Sequence, residues 1–140
     1  MGFSGEVVSY FLDTNICIYF LNGTYTTIRE QLSTKKPQEI KISTVVMAEL
    51  LFGAENSGRV RENLKKVRDF LSPFELLAFD PKAAEIYANQ RALLQKSGKP
   101  IASNDLMIAA ITLAHQGILV THNEKDFVRI KKLKIENWVK

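Results

Sequence analysis

The sequence predicts an α/β protein: a three-layer α/β/α sandwich with helices on both faces of a central parallel sheet. Three observations predict it. The strand-like segments are short apolar runs instead of alternating ones, as in strands buried on both faces. Helical segments with identifiable caps alternate with them, as crossovers between parallel strands require. The 140 residues, 46% hydrophobic and 24% charged, suit one soluble domain spanning 1–140 with a substantial core.

Val7-Val8-Ser9-Tyr10-Phe11-Leu12 reads as the first strand, β-branched and aromatic, ending at Asp13. Thr14-Asn15 can cap a short helix through Leu21, which Asn22-Gly23 stops. Thr24 to Ser33 reads as a polar helix, and Pro37 breaks the chain before a strand over Glu39–Ser43. Ser43 or Thr44 caps a helix through Glu55. Past Ser57-Gly58, Arg59 to Leu71 forms an amphipathic helix with Val60, Leu64, Val67 and Leu71 on one stripe.

Ser72-Pro73 precedes a short strand near Glu75 to Ala78. Asp80-Pro81 starts a helix reaching Lys96, ended by Gly98-Lys99-Pro100. Ser103-Asn104 opens another, to Gln116, closed by Gly117. Ile118-Leu119-Val120-Thr121 is a fourth strand, Asp126-Phe127 sits in a turn or short helix, and Leu133-Lys134-Ile135 forms a last edge strand.

The lone cysteine, Cys17, permits no internal disulfide and reads as a small buried hydrophobe within Ile16-Cys17-Ile18. Met1 to Gly5 has no basic residue of the secretory type, and no run of 18 uncharged apolar residues could span a bilayer. The expectation is a cytoplasmic protein without a membrane partner. A net charge of +4 suits an anionic partner without naming one.

The chemistry shows in where charge is missing. Although the chain carries 19 Lys and Arg and 15 Asp and Glu, Val7–Ile28 contains one charged residue, Asp13. Ile42–Ala54 contains only Glu49, and Pro100–Asn123 contains only Asp105. A carboxylate in apolar surroundings is costly unless paired, hydrogen-bonded or metal-bound, and no Lys or Arg lies in these windows. Asp13 could instead be a helix cap, and Asp105 an acid favoured by the dipole of its first turn. Glu49 resists such a reading, because its helical neighbours Val45, Val46, Phe52 and Gly53 are uncharged.

Topology draws the acids together. Asp13 follows the first strand and Asp126 the fourth, at the carboxyl edge where open parallel sheets bind ligands, with helix-borne Glu49 and Asp105 pointing in. Hard oxygen donors without His/Cys spacing suit Mg²⁺, with Mn²⁺ a substitute, rather than zinc.

Four ordered segments carry a resemblance: Phe11-Leu12-Asp13-Thr14-Asn15; Ala48-Glu49-Leu50; Asn104-Asp105-Leu106-Met107-Ile108-Ala109-Ala110; and Val120-Thr121-His122-Asn123-Glu124-Lys125-Asp126-Phe127. They resemble the successive motifs of PIN-domain ribonucleases, in particular the VapC toxins of bacterial VapBC toxin–antitoxin modules. The closing Ile135-Glu136-Asn137-Trp138 resembles the usual terminus of those toxins. The resemblance implies a Mg²⁺-dependent endoribonuclease acting on transfer or ribosomal RNA, a homodimer, and inhibition by a VapB-type antitoxin. It also implies that Asp13, Glu49 and Asp105 are the core catalytic, metal-binding acids and that Asp126 is a more variable fourth. Thr14, Asn15, Thr121 and Asn123 match polar positions around them. Asn123 stands where many relatives have Asp, and His122 where related toxins often have Asn.

Arg59, Arg61, Lys65, Lys66, Arg68 and the cluster from Arg129 to Lys134 are candidates for holding an RNA backbone, or else solvated helix faces. His122 falls near the expected pocket, whereas His115 reads as structural. Because the acid set does not itself sense a 2′-hydroxyl, a metal-dependent DNA nuclease is an alternative, as is a non-catalytic binding module that has kept the fold. A phosphoacceptor receiver domain fits less well: it calls for an acidic pair after the first strand, where Asp13 stands alone.

Overall fold

The computed structural model describes residues 8–140, so the expected strand start at Val7 lies outside the described residues. Five strands form one parallel sheet: β1 (Tyr10–Leu12), β2 (Ile40–Ser43), β3 (Glu75–Leu77), β4 (Ile118–Val120) and β5 (Lys134–Glu136). Their order is β3-β2-β1-β4-β5. Tyr10 registers with Ile40 on one side and Ile118 on the other, making β1 the central strand. From β1 the chain builds outward through β2 to β3, then crosses back to add β4 and β5 on the opposite side. The direction of building therefore reverses between β1 and β4, the switch point at which open parallel sheets leave a crevice beyond their carboxyl ends.

The helices are α1 (Thr14–Asn22), α2 (Thr26–Ser33), α3 (Thr44–Glu55), α4 (Val60–Leu71), α5 (Pro81–Lys96), α6 (Ser103–Ala114) and α7 (Glu124–Phe127), and a 3-10 turn over Pro37–Glu39 precedes β2. The core lies where the central strands meet the helical layers. Phe11, Leu12, Ile40, Ile42, Leu119 and Val120 of the sheet are buried, as are Ile16, Val46, Leu50, Leu106, Ile108 and Ile111 of the helices. Cys17 belongs to this core, and burial pushes its thiol well above the usual range, consistent with the reading from sequence.

Some details differ from expectation for physical reasons. The side chain capping α1 is Asp13, not Thr14 or Asn15: its carboxylate accepts from the Ile16 N–H at 2.9 Å. Ala102 stands at the start of α6, so no side chain caps that helix, and neither Ser103 nor Asn104 takes that role. The helix stops at Ala114, and the left-handed residue that follows is Gln116 (φ 53°), not Gly117. Gly117 is needed for space instead, since a Cβ there would lie 2.5 Å from the Phe11 ring. Strand β3 is not buried on both faces: at the sheet edge Glu75 and Leu76 are exposed, and Lys41 donates to the Glu75 carboxylate at 2.8 Å. Ser43 caps α3 by accepting from the Val46 N–H, and Asp80 caps α5 by accepting from the Ala83 N–H. No helix among the described residues is long and apolar enough to cross a membrane.

Candidate metal centre

Each acid arrives on a different element. Asp13 is the first residue past β1, held there by its N–H donating to the Val120 carbonyl of β4 at 3.1 Å. Glu49 lies midway along α3, and Asp105 in the first turn of α6. Asp126 lies in α7, just beyond β4.

Asp13 is only 5% exposed. Burial drives its carboxyl up to about 6, opposed by a hydrogen bond from the Thr121 side chain and by the Ile16 N–H, while the charges of Asp105 and Glu49 push it further up. Asp105 is half-buried. Desolvation raises its carboxyl first, followed by repulsion from Glu49 and Asp126. Asp13 thus senses Asp105 and Glu49, and Asp105 senses Glu49 and Asp126. Of the four acids, Glu49 lines a hollow of about 750 Å³ together with Thr14, Asn104, Phe52 and Met107 among others.

Among the described residues, no three His, Cys, Asp or Glu side chains converge tightly enough to enclose a metal ion as they stand. Two of the acids are engaged by neighbouring donors. Thr14 donates through Oγ1 to Glu49 Oε1, and Asn104 donates through Nδ2 to Glu49 Oε2 at 3.2 Å. Asp126 accepts from Asn123 Nδ2 at 3.0 Å and pairs with Arg129 at 2.7 Å.

The donor set nevertheless suits a hard divalent cation. Every acid offers carboxylate oxygen, and Asp13, Glu49 and Asp105 form no ion pair among the described residues, despite a net positive chain. Three buried or half-buried carboxylates without a salt bridge among the described residues form an electrostatically unfavourable set that positive charge would relieve.

The surrounding polar residues divide. Thr14 holds Glu49, Thr121 holds Asp13, and Asn123 holds Asp126. Thr121 also accepts from the Asn123 N–H at 2.9 Å, which fixes the turn leaving β4. Asn15 is exposed on the first turn of α1 and, among the described residues, holds none of the acids. His122 packs near Tyr19 and Tyr25 and lies 3.3 Å from Asn137 Nδ2, while His115 stacks on Phe11. Two residues touch the acids in roles the sequence reading did not give them: Asn104, read as opening α6, and Arg129, read as a candidate for holding an RNA backbone. The second carried a signal, since a spacing of three on a helical turn is that of a side-chain ion pair.

Comparison with known proteins gives one family. The model of the PIN domain matches residues 10–133. Ribonuclease VapC2 of Rickettsia felis is 40% identical over 134 residues, which cover 94% of this chain and 98% of that protein. The tRNA(fMet)-specific endonuclease VapC of Shigella flexneri is 33% identical, with 94% and 99% covered. A crystal structure of VapBC2 from Rickettsia felis bound to a DNA fragment from their promoter superposes with a TM-score of 0.87 at 38% identity, covering 94% of this chain and 99% of that one.

Proposed function

This chain belongs to the PIN-domain family, among the VapC ribonucleases, and from that premise we propose that it is a toxin: a metal-dependent endoribonuclease restrained by a VapB-type antitoxin. The observation that carries the reading is the set of Asp13, Glu49 and Asp105, carried by three elements near the switch point and forming no salt bridge among the described residues. Asp13, Glu49 and Asp105 would hold the cation, with Asp126 at the edge of the set; Mg²⁺ fits the all-oxygen donors and Mn²⁺ can replace it. When bound, the cation supplies positive charge opposite a phosphodiester and acidifies water for its hydrolysis, leaving 5′-phosphate and 3′-hydroxyl ends.

The chain's own residues orient and exclude. Thr14 and Asn104 fix the two oxygens of Glu49, so its carboxylate faces the hollow in one rotamer. The Ile16 N–H and Thr121 immobilise Asp13 in a nearly dry wall. Burial and the neighbouring carboxylates raise the carboxyls of both Asp13 and Asp105, which favours positive charge beside them.

The test is digestion of a structured RNA, with single-stranded DNA in parallel, in Mg²⁺ and in EDTA. RNA cut only with Mg²⁺, and lost in Asp13→Asn and Asp105→Asn, supports the reading. Cleavage in EDTA, or equal cleavage of DNA, would overturn it. Size-exclusion chromatography checks the accompanying homodimer. Co-expression with the gene product of a neighbouring short frame, followed by loss of cleavage, checks the antitoxin.

A further inference from the structure

Two basic surfaces competed in the sequence, and the structure separates them. On α4, Arg59 faces Glu62 at 3.4 Å and Lys65 faces Asp69 at 2.7 Å, so acids are interleaved with that helix's cations, although Arg61, Lys66 and Arg68 form no salt bridge among the described residues. The segment after α7 is arranged differently. Between α5 and residues 129–132 runs a groove of about 500 Å³, lined by Asn89, Gln90, Lys99, Arg129, Lys131 and Lys132 with the apolar surface of Leu93 and Leu94. Four basic residues line it and no acid does. Lys99, Lys131 and Lys132 form no salt bridge among the described residues, and the nearest carboxylate by lining, Glu85, lies in the adjoining hollow that Lys132 also borders.

The groove is continuous with the acid set through one side chain. Arg129 lines it and also pairs with Asp126, whose charge reaches Asp105. The Arg129 guanidinium is itself nearly used up: it donates to Asp126 Oδ1 at 2.7 Å, the Lys99 carbonyl at 2.9 Å, and more weakly to the Pro100 and Asp126 carbonyls. Arg129 therefore builds the wall and pins the loop into α6, leaving Lys99, Lys131 and Lys132 to face a ligand.

We propose that this groove between α5 and residues 129–132 is the track for the RNA backbone flanking the cut, its phosphates held by Lys99, Lys131 and Lys132. The inference rests on the ribonuclease reading. A strand entering it would be held by phosphate contacts, with Asn89 and Gln90 available to sugars or base edges and Leu93, 54% exposed, offering an apolar surface for a base. Phosphate contacts are indifferent to sequence, so the groove would contribute affinity and direction, and target choice would lie elsewhere.

The experiment measures binding of fluorescein-labelled single-stranded RNA by anisotropy in EDTA, as a function of KCl. Lys131→Gln with Lys132→Gln is expected to weaken binding about tenfold and to flatten the log–log salt slope by roughly 1.4, two contacts at about 0.7 each for a single strand. The Mn²⁺-induced rise in Tm should be unchanged, which separates loss of the track from loss of the fold or the metal site. Arg61→Gln with Arg68→Gln on α4, removing the same charge, should leave affinity within about twofold. An unchanged slope in the Lys131/Lys132 variant, or an equal loss in the α4 variant, overturns the proposal. So does retained RNA binding with loss of binding to poly-glutamate, which would mark the groove as a site for an acidic protein. Failure of the unaltered protein to bind or cut RNA would sink the ribonuclease reading itself, a distinguishable result.

Discussion

Asp13 does two jobs with one carboxylate, and its substitution separates them. As an N-cap it accepts from Ile16, a role Asn fills equally well. As a buried charge raised to about 6, it destabilises the metal-free protein at neutral pH. The folded state holds that proton more tightly than the unfolded chain, so its contribution falls as pH rises from about 4 through 6 and is level above. Asp13→Asn removes the cost, about 3 kcal/mol for a shift of roughly two units. We expect abolished cleavage together with a higher Tm in EDTA. In thermal melts the gap between variant and parent should be small near pH 4 and fully open by pH 7; a constant gap would refute this account. Asp126 makes a contrast, because Arg129 already balances its charge. Asp126→Asn should keep measurable activity, whereas Asp105→Asn should fall at least about a hundredfold, the scale of losing one well-placed electrostatic group; single-turnover rates decide.

Between elements, close approach governs. Helix α6 returns to the sheet through Gly117, over which the Phe11 ring lies so tightly that a Cβ would meet Cε1 at 2.5 Å and Cδ1 at 2.6 Å. The ring belongs to β1, whose next two residues are Leu12 and Asp13, so displacement there propagates toward the site. Gly117→Ala is expected to cost about 2 kcal/mol as overpacking, lowering Tm by roughly 5 °C, measurable by calorimetry. The elements themselves were legible in the sequence. Apolar runs marked β1 and β4, the break at Pro37 preceded β2, and Asp80-Pro81 marked the start of α5. Boundaries set by tertiary contact were harder to read. The sequence offers Gly117 as a cap, yet Gln116 takes the left-handed turn and Gly117 makes room for a ring from a strand more than a hundred residues earlier.

At the scale of the molecule, the sheet order decides which charges meet. Strand β1 sits between β2 and β4, so Asp13, the helix after β2 and the helix before β4 converge at one crevice. The charges of Asp105 and Glu49 raise the Asp13 carboxyl, so a cation bound among them, as proposed, should act on the whole fold. Mn²⁺ or Mg²⁺ at about a hundred times its Kd should stabilise the protein by roughly 2.7 kcal/mol, raising Tm, with EDTA reversing it. Asp13→Asn should largely lose that response. A parent protein whose Tm ignores both ions would argue against the site.

The sequence by itself determined the fold class and the identity of the isolated acids, because burial on two faces and the cost of an unpaired carboxylate are written in composition window by window. Only the tertiary structure decided how those acids are held. Glu49 rests on Thr14 and Asn104, and Asp126 is bound by Arg129, which also grips the carbonyls of the loop into α6. Nor could sequence alone choose between the two basic surfaces, since a row of lysines reads alike whether acids stand opposite or not. Pairing and repulsion fall off over a few ångströms in space, and separation along the chain carries almost no information about that distance.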